Sequence, residues 1–215
     1  GNIPTTLAKI PTLHQLTMDN NKLVGPIPQQ LYTMSSLRYI NFENNALTGF
    51  LSEEVALLQG LEALVLSKNQ LQGAIPWAGL ASTRITYLGL SSNKFSGTID
   101  DSVRDCVDLR FLYVDNNELV GELPVAIGEV PNLQSIDLGF NGFHGRFPSV
   151  IGRLKNLEFL SAQSNEFAGP IPAEISLLSK LKTLNLAANQ FSGSLPDFSP
   201  MKNLKSLFLE GNKFE

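Results

Sequence analysis

The sequence contains only one cysteine, Cys106, in 215 residues, so no disulfide can form within the chain. It also lacks any run of apolar residues long enough to cross a membrane. Basic residues are not in excess, because 16 Lys and Arg stand against 20 Asp and Glu, which gives a net charge of −4. Nucleic-acid binding depends on a basic stripe that displaces counterions from phosphates. The composition therefore predicts no nucleic-acid partner and no membrane insertion by this segment, while 43% hydrophobic residues suffice for a full core.

A period of 24 residues runs through the whole chain. A fixed period of roughly 20–50 residues is the signature of a solenoid or a related repeat architecture. Glycine follows each of the first eight repeated asparagines at a distance of four residues, and the last repeat but one reads L-K-T-L-N-L-A-A-N-Q-F from Leu181. Every step between asparagines is 24 residues except the last, which is 23; they are Asn21, Asn45, Asn69, Asn93, Asn117, Asn141, Asn165, Asn189 and Asn212.

Each repeat contains an L-x-L segment whose alternation has the period of two that a β-strand requires. Leu64 and Leu66, for example, are predicted to point inward, and the residues between such pairs outward. One unit cannot bury its apolar side alone, so stacked units should form a parallel sheet over a continuous core. The repeated asparagines are predicted to turn inward and satisfy buried backbone groups, and the glycines to mark tight turns or close approaches between repeats.

Three repeats carry G-x-I-P after the L-x-x-L-x-L-x-x-N-x-L block, at residues 25–28, 73–76 and 169–172. This combination resembles the plant-type class of leucine-rich repeats, which includes ectodomains of receptor-like kinases, receptor-like proteins and polygalacturonase-inhibiting proteins. The resemblance covers the whole chain. It implies an α/β solenoid, a right-handed horseshoe with a parallel β-sheet on the concave face and short strands, turns or 3-10 segments on the convex side. It also implies an extracellular or cell-surface location.

Four repeats depart from this pattern and are predicted to deviate locally on the convex side. Ser52 and Asp100 stand where other repeats have proline, segment 77–80 places its leucine one position later than its neighbours, and the repeat beginning at Leu181 is one residue short. The cysteine-paired caps and N-x-S/T sequons typical of secreted members are absent. A related protist or bacterial protein, or a central fragment, therefore fits the sequence as well as a plant extracellular protein does.

Residues 1–215 are predicted to form a single leucine-rich-repeat domain. It divides into a half repeat at 1–12, 24-residue repeats over 13–180, a 23-residue repeat at 181–203 and a half repeat at 204–215. Because solenoids need polar caps for solubility and neither end carries one, we expect a piece of a longer array. The alternative is head-to-tail self-association through the open ends, a heterologous contact that can grow filaments.

Catalysis has little support from the sequence. The only histidines, His14 and His144, lie more than five repeats apart, which at roughly 4.8 Å per strand separates them by more than about 20 Å. No histidine triad, zinc cluster or phosphate loop can be assembled. Asp115 and Asp137 come from adjacent strands, but on an open sheet a solvated or ligand-facing pair is favoured over an acid–base pair. We predict no enzymatic activity, no catalytic residue, no metal and no cofactor.

Several aromatic residues fall in columns that the core requires. Those in one column occupy positions held elsewhere by leucine and are predicted to form a stacked core spine: Phe95, Phe143, Phe167, Phe191 and Phe214. Cys106 also occupies an apolar column and is predicted to be a buried core residue. Trp77 has mostly polar equivalents, and it is either a convex contact residue or, as we favour, a plug for its own distorted loop.

A second group of aromatic residues occupies outward-facing strand positions, where the core needs nothing apolar. Within four successive repeats these are Tyr87, Phe111, Tyr113, Phe140 and Phe159. Clustered exposed aromatics mark interaction sites more often than scattered ones do. The predicted ligand-binding site on the concave face, here called the concave patch, adds to them Tyr39 and three charged residues that would orient a partner, Arg110, Asp115 and Asp137. The alternative is that the rings only pack on each other as a ladder that stabilises the sheet.

The sequence thus predicts a non-catalytic recognition scaffold that binds a protein ligand or co-receptor on its concave face. A receptor ectodomain segment and a secreted inhibitor-like protein both fit, and a wall polysaccharide is the second ligand class. The alternative function is a structural or assembly subunit that joins partners through its uncapped ends or its convex face. Ice binding, a third hypothesis, requires a flat repeated polar array, whereas the exposed columns here are irregular.

Overall fold

The computed structural model describes residues 1–215, and its most regular feature is a parallel sheet of nine three-residue strands, here called the concave sheet. Each strand pairs in register with the equivalent strand of the next repeat, so that Leu88, for example, lies opposite Leu112. The strands are Gln15–Thr17, Tyr39–Asn41, Ala63–Val65, Tyr87–Gly89, Phe111–Tyr113, Ser135–Asp137, Phe159–Ser161, Thr183–Asn185 and Ser206–Phe208.

A second parallel sheet, here called the outer sheet, contains one short strand from each repeat. This strand follows the repeated asparagine. It also has nine strands and runs in the same repeat order. The predicted extra strands are therefore present. Their bounds are Val24–Gly25, Ala46–Phe50, Gln70–Ala74, Lys94–Gly97, Glu118–Gly121, Gly142–Arg146, Glu166–Gly169, Gln190–Gly193 and Lys213–Phe214.

The convex side consists mostly of single turns of 3-10 helix, as predicted. Their bounds are Thr5–Lys9, Gln29–Thr33, Glu53–Leu57, Asp101–Asp105, Val125–Glu129, Ser149–Arg153 and Ala173–Leu177. One repeat has a five-residue α-helix instead, Trp77–Ala81. None of these helices has the length and apolar character needed to span a membrane.

A single continuous core of 54 buried residues lies between these three sides. The predicted phenylalanine spine is part of it, with Phe143 and Phe167 stacked at 6.1 Å between ring centroids and Phe167 and Phe191 at 6.2 Å. Phe95 is also fully buried, and Phe214 packs against the core at its end. Cys106 is buried as predicted.

The repeated asparagines join neighbouring repeats through their side-chain amides. Asn69 Nδ2 donates to the carbonyls of Phe42 in the preceding repeat and of Leu66 in its own, at 2.9 and 3.0 Å. Its Oδ1 accepts from the backbone N–H of Leu47 at 3.0 Å. The same pattern recurs down to Asn212, whose Oδ1 accepts from Phe191 N. Since a buried unpaired backbone group costs about 1–3 kcal/mol, this ladder is what fixes an asparagine at each step.

The prediction that Ser52 and Asp100 cause local deviations is wrong. Both precede 3-10 helices that start and end at the same repeat positions as those preceded by proline. Ser52 Oγ accepts from Glu54 N at 3.1 Å, and Asp100 Oδ1 accepts from Ser102 N at 2.8 Å. Proline presets the backbone of the residue before the helix, whereas serine and aspartate cap the helix with a side-chain oxygen, so both solutions keep the same geometry.

The other two departures do change the convex side. Trp77 begins the only α-helix, is 1% exposed, and donates from Nε1 to the Thr98 carbonyl at 3.2 Å. Its interpretation as a plug for its own loop is therefore confirmed. The shortened repeat that begins at Leu181 has no helix between its outer strand Gln190–Gly193 and its next concave strand Ser206–Phe208.

Two backbone positions in each repeat have positive φ, of which the sequence revealed only one. The glycine four residues after the asparagine has φ between 77° and 88° in all eight repeats that carry it, as expected for a tight turn. The residue just before the asparagine also lies in the left-handed region, with φ between 53° and 57°. It is not glycine in eight repeats: Asn20, Asn44, Lys68, Ser92, Asn116, Phe140, Ser164 and Ala188.

Candidate binding site on the concave sheet

Three of the predicted aromatic residues form one cluster on the outward surface of the concave sheet. Register places Tyr87 beside Phe111 and Tyr113 beside Gly89 on adjacent strands. The Tyr87 ring lies 5.7 Å from Phe111 and 5.5 Å from Tyr113 between centroids, with the second pair edge-on. All three side chains are half-buried. The rings therefore do pack as a ladder, and they still present apolar surface to solvent.

Gly89 makes this arrangement possible. A Cβ atom at position 89 would come within 3.0 Å of Tyr87 Cε1, so the tyrosine ring lies along the strand over the glycine. The environment also raises the pKa of Tyr87, first because the phenol is partly buried and then because Tyr113, Glu43 and Tyr39 lie nearby. A small residue at the centre of a strand thus determines how the cluster packs.

Tyr39 lies on the other side of Tyr87, across a shallow open depression of about 350 Å³. The floor of the depression contains Ala63 and Val65, which are 9% and 8% exposed although strand alternation points them outward. The full lining is Tyr39, Asn41, Glu43, Ala63, Val65 and Tyr87. Asn41 and Glu43 were not among the predicted site residues, although their outward strand positions could have indicated them.

The remaining two aromatics lie on the opposite side of the cluster and form no ring pair with it. Phe159 is half-buried on its strand, beside Ser135. Phe140 is 48% exposed and occupies the left-handed position, with φ 54°. A bulky residue in that region is an outlier that costs on the order of 1–3 kcal/mol. Phe140 therefore exposes an apolar ring at a position whose left-handed backbone conformation disfavours bulky residues.

Two acidic residues of the concave patch lie close to these aromatics in the sequence: Asp115 follows Tyr113 by two residues, and Asp137 precedes Phe140 by three. Asp115 accepts hydrogen bonds from the Ser91 hydroxyl and from Asn116 Nδ2. Asp137 Oδ1 accepts from the Gly139 N–H at 3.0 Å. Burial raises the pKa of Asp137, and the negative charge of Asp115 raises it further. Asp137 lies opposite Tyr113 on the adjacent strand, which makes it a diagonal neighbour of Asp115, in agreement with the predicted approach of these two residues.

The other charges around the patch differ in their partners. Arg110 is exposed at the start of its strand and makes no ion pair. Glu158 instead pairs with Lys182 of the next repeat, which lowers the pKa of its carboxyl through the hydrogen bond and the charge of the lysine. Lys68 pairs with Glu43 at 2.9 Å on the concave side.

The structure assembles no cluster of three or more His, Cys, Asp or Glu side chains suited to a metal ion. Burial raises the pKa of the Cys106 thiol to about 12, so at neutral pH it is not the thiolate that nucleophilic chemistry requires. The concave patch presents aromatic faces, neutral hydrogen-bonding groups, an acidic pair and the exposed guanidinium of Arg110.

Family models describing leucine-rich repeats match the chain at residues 6–71 and again at 84–106, 132–154 and 180–200, which together span more than half of it. No curated protein sequence matches the chain.

Several hundred solved structures resemble it. One is a plant peptide hormone receptor, RGFR1, in complex with RGF2, with 31% identity and a TM-score of 0.85. Another is a TDR receptor, with 25% identity and a TM-score of 0.89. The chain is covered completely in both alignments and spans 38% and 41% of those two structures, about two fifths of their length. A plant ice-binding protein, 24% identical with a TM-score of 0.87 over 69% of its length, shares the fold alone.

Proposed function

The chain belongs to the leucine-rich-repeat family, in its plant-type class, and from that premise we propose that its concave patch binds an extended polypeptide ligand. The protein acts as a recognition scaffold without catalysis, at the cell surface or outside the cell. A receptor ectodomain segment is the form that the comparisons favour, and a peptide is the ligand class of one of the similar structures.

The observation that carries this proposal is aromatic surface where the fold needs none. The cluster of Tyr87, Phe111 and Tyr113 lies outside the core, which is complete on the other side of the same strands. Phe140 adds an exposed ring at a backbone position that disfavours it. Aromatic anchors near the centre of an interface typically contribute most of its binding energy, with truncation costing about 2 kcal/mol or more.

The shape of the surface favours an extended chain over a globular domain. The concave sheet offers a row of side chains that changes identity at every strand, so a peptide crossing the strands meets a different set at each step. The depression between Tyr39 and Tyr87 would take one apolar side chain, and the cluster and Phe140 would contact others further along. Polar groups at the rim would then set orientation and association rate rather than most of the affinity.

The test is to select peptides from a displayed random library against the whole chain and to measure their affinities for single variants. We expect Phe111→Ala and Tyr113→Ala each to weaken the selected peptides at least about tenfold, which corresponds to about 1.4 kcal/mol. Both variants should remain folded, because the core residues are unchanged. Thermal melts verify this point before any affinity is interpreted.

Two matched controls lie on other faces. Phe50→Ala removes a phenylalanine that is 63% exposed on the outer sheet, and Asp101→Ala removes an exposed carboxylate from the convex side. Neither should change the affinity by more than about twofold, within the roughly 0.5 kcal/mol expected of a neutral surface substitution. Binding that is lost in the controls and retained in Phe111→Ala and Tyr113→Ala would place the ligand elsewhere and refute the proposal.

A further inference from the structure

The depression beside the aromatic cluster has a tyrosine on each side and small residues beneath. Tyr39, Ala63 and Tyr87 occupy the same position on three adjacent strands, so the alanine lies between the two tyrosines. Val65, at the other end of the middle strand, completes the floor. The core does not require this order of side chains, because it lies on the opposite face of the strands, where Leu64 is buried.

The gap between the two tyrosines has the width of one aromatic ring. Neighbouring strands of a parallel sheet are about 4.8 Å apart, so residues two strands apart are separated by about 9.6 Å. A ring placed midway would lie about 4.8 Å from each tyrosine, and aromatic pairs prefer about 4.5–7 Å between ring centroids. Tyr39 and Tyr87 form no ring pair with each other, whereas Tyr87 and Phe111, on adjacent strands, do so at 5.7 Å. The gap therefore has room for one further ring and is too narrow for two.

One wall of the depression is held in place by the rest of the patch. Tyr87 packs on Phe111 and Tyr113, whose strand lies on the side away from Ala63. The other wall, Tyr39, contacts no aromatic ring of the chain, so a ligand ring would be its first stacking partner. Binding costs less when a site is already ordered, because fewer side chains lose rotational freedom. The depression is therefore half prepared for a ring and lacks only the partner between its walls.

The charged residues in the repeats that form the depression balance one another. At one end, Glu43 lines the depression and pairs with Lys68 at 2.9 Å. At the other end, Arg38 and Glu62 stand just before two of the strands, are both exposed and carry opposite charges. Asp19, one repeat further out, does not line the depression. A charged ligand side chain would therefore find no net countercharge here, which favours a neutral side chain between the tyrosines.

On this basis, and resting on the proposed peptide-binding function, we infer that the depression is a subsite for an aromatic side chain of the ligand. The ligand ring lies between Tyr39 and Tyr87, above Ala63. An aliphatic side chain would bury a similar apolar area there, but it would not gain the additional attraction between aromatic rings. The ligand is therefore a polypeptide with a phenylalanine or tyrosine at the position that crosses the strand Ala63–Val65.

Two small probes separate an aromatic subsite from a merely apolar one. N-acetyl-phenylalanine amide and N-acetyl-cyclohexylalanine amide are titrated in the millimolar range into the whole ¹⁵N-labelled chain, with the backbone amide of Val65 as the NMR reporter. The cyclohexyl group has nearly the same outline and the larger apolar surface, so burial alone would favour it. We expect saturable binding of the phenylalanine probe, at least about fivefold tighter than that of the cyclohexylalanine probe, because only the flat ring forms two aromatic pairs.

Substitutions then locate the ring. Ala63→Leu fills the space between the tyrosines and should weaken the phenylalanine probe at least about tenfold. Thr183→Leu is the matched control, since it places the same side chain at the same strand position in a distant repeat, and it should leave the affinity unchanged. Tyr39→Leu removes one wall ring and keeps apolar bulk, so the preference for phenylalanine over cyclohexylalanine should fall to about twofold. All three positions lie outside the core, and thermal melts verify folding first.

Equal or tighter binding of the cyclohexylalanine probe, tighter binding of N-acetyl-proline amide, or no saturable shift at Val65 would each overturn the subsite. An unchanged preference for phenylalanine in Tyr39→Leu would do the same. The test also separates this inference from the proposed function. If the phenylalanine probe fails to bind while Phe111→Ala and Tyr113→Ala still weaken the selected peptides, only the subsite is wrong. If the probe binds as expected while those two variants leave the peptides unaffected, the proposed function is wrong and the subsite stands.

Discussion

The asparagine ladder allows a stability prediction whose magnitude follows from individual hydrogen bonds, and Asn117 is the position of choice. Its Oδ1 accepts from the Phe95 N–H at 2.9 Å. Its Nδ2 donates to the carbonyls of Leu90 and Val114 at 3.0 and 3.1 Å, and to that of Asp115 at 3.2 Å. Replacing it with alanine removes all four contacts at the junction of two repeats.

The loss is unequal among these partners. The Leu90 carbonyl still accepts from Asn93 and the Val114 carbonyl from Asn141, so neither becomes unpaired. The Phe95 N–H loses its side-chain acceptor. One orphaned buried donor costs about 1–3 kcal/mol, and weakened bonds at the carbonyls add a few tenths, so we expect Asn117→Ala to destabilise by roughly 2–3 kcal/mol. At about 2–4 °C per kcal/mol for a chain of this size, Tm falls by roughly 4–12 °C.

Chemical denaturation measures this difference, provided that the slope of free energy against denaturant is unchanged, as it should be for a variant with the same buried surface. Gln59→Ala is the control, since it removes an exposed amide that makes no hydrogen bond within the chain and should cost less than about 0.5 kcal/mol. Coincident midpoints for the two variants would refute the ladder. Asn44 is also exposed, but Asn44→Ala would be unsuitable as a control. The φ of this residue is 54°, a conformation in which alanine costs about 1 kcal/mol, whereas glycine is tolerated.

Three further predictions follow from other positions. Asp100→Ala should cost about 1 kcal/mol in a denaturation series because the helix cap at Ser102 is lost, whereas Asp100→Pro should restore most of it. Ala188→Asn, at an exposed left-handed position, should raise stability by up to about 1 kcal/mol in the same assay. The pKa of Asp137 is raised in the folded state, so the parent chain loses stability as the pH rises from the pKa of the unfolded chain through that of the folded chain. Asp137→Asn should therefore be more stable than the parent at pH 7. Thermal melts across pH should show this advantage vanish below about pH 4, where the carboxyl is protonated in both states.

The repeat spacing was sufficient to predict the architecture, because a strict period fixes which side chains share a column. Inward Leu64 and Leu66, the Phe95 column and the buried Cys106 all follow from position within the repeat. The sequence did not show, however, that different residues can fill the same structural role at one repeat position. Asp100 looked like a departure from proline, yet its carboxylate caps the helix that proline would have preset. Different side chains reach one backbone geometry by different interactions, and spacing alone does not reveal this.

The sequence was sufficient to predict which residues of the concave patch face outward, but not how their side chains pack against each other. Alternation placed Tyr87, Phe111 and Tyr113 on the outward surface, but their mutual packing depends on the ring of Tyr87 leaning over Gly89, which rotamers decide. The burial of Ser161, which is 1% exposed, was not predictable either, because a serine on an outward strand position is expected to be solvated. Which of the concave residues touch a ligand stays a prediction.

Comparison between repeats helps to distinguish residues that the fold requires from residues that serve another purpose, because each repeat position occurs up to nine times in the same backbone environment. At the left-handed position, the other repeats have small, polar or flexible residues, while Phe140 places a bulky ring there at a cost in backbone strain. At the equivalent of Asp137, other repeats have uncharged residues such as Ser161 and Asn185, whereas Asp137 holds a half-buried carboxyl next to a second acid. Asp137 shares with Asn41 and Asn185 the side-chain oxygen that accepts from the backbone N–H two residues later, so its negative charge is what the fold does not need. The same holds for the exposed ring of Phe140, three residues further on. Features that exceed the needs of the fold at neighbouring positions are what we expect of a binding site.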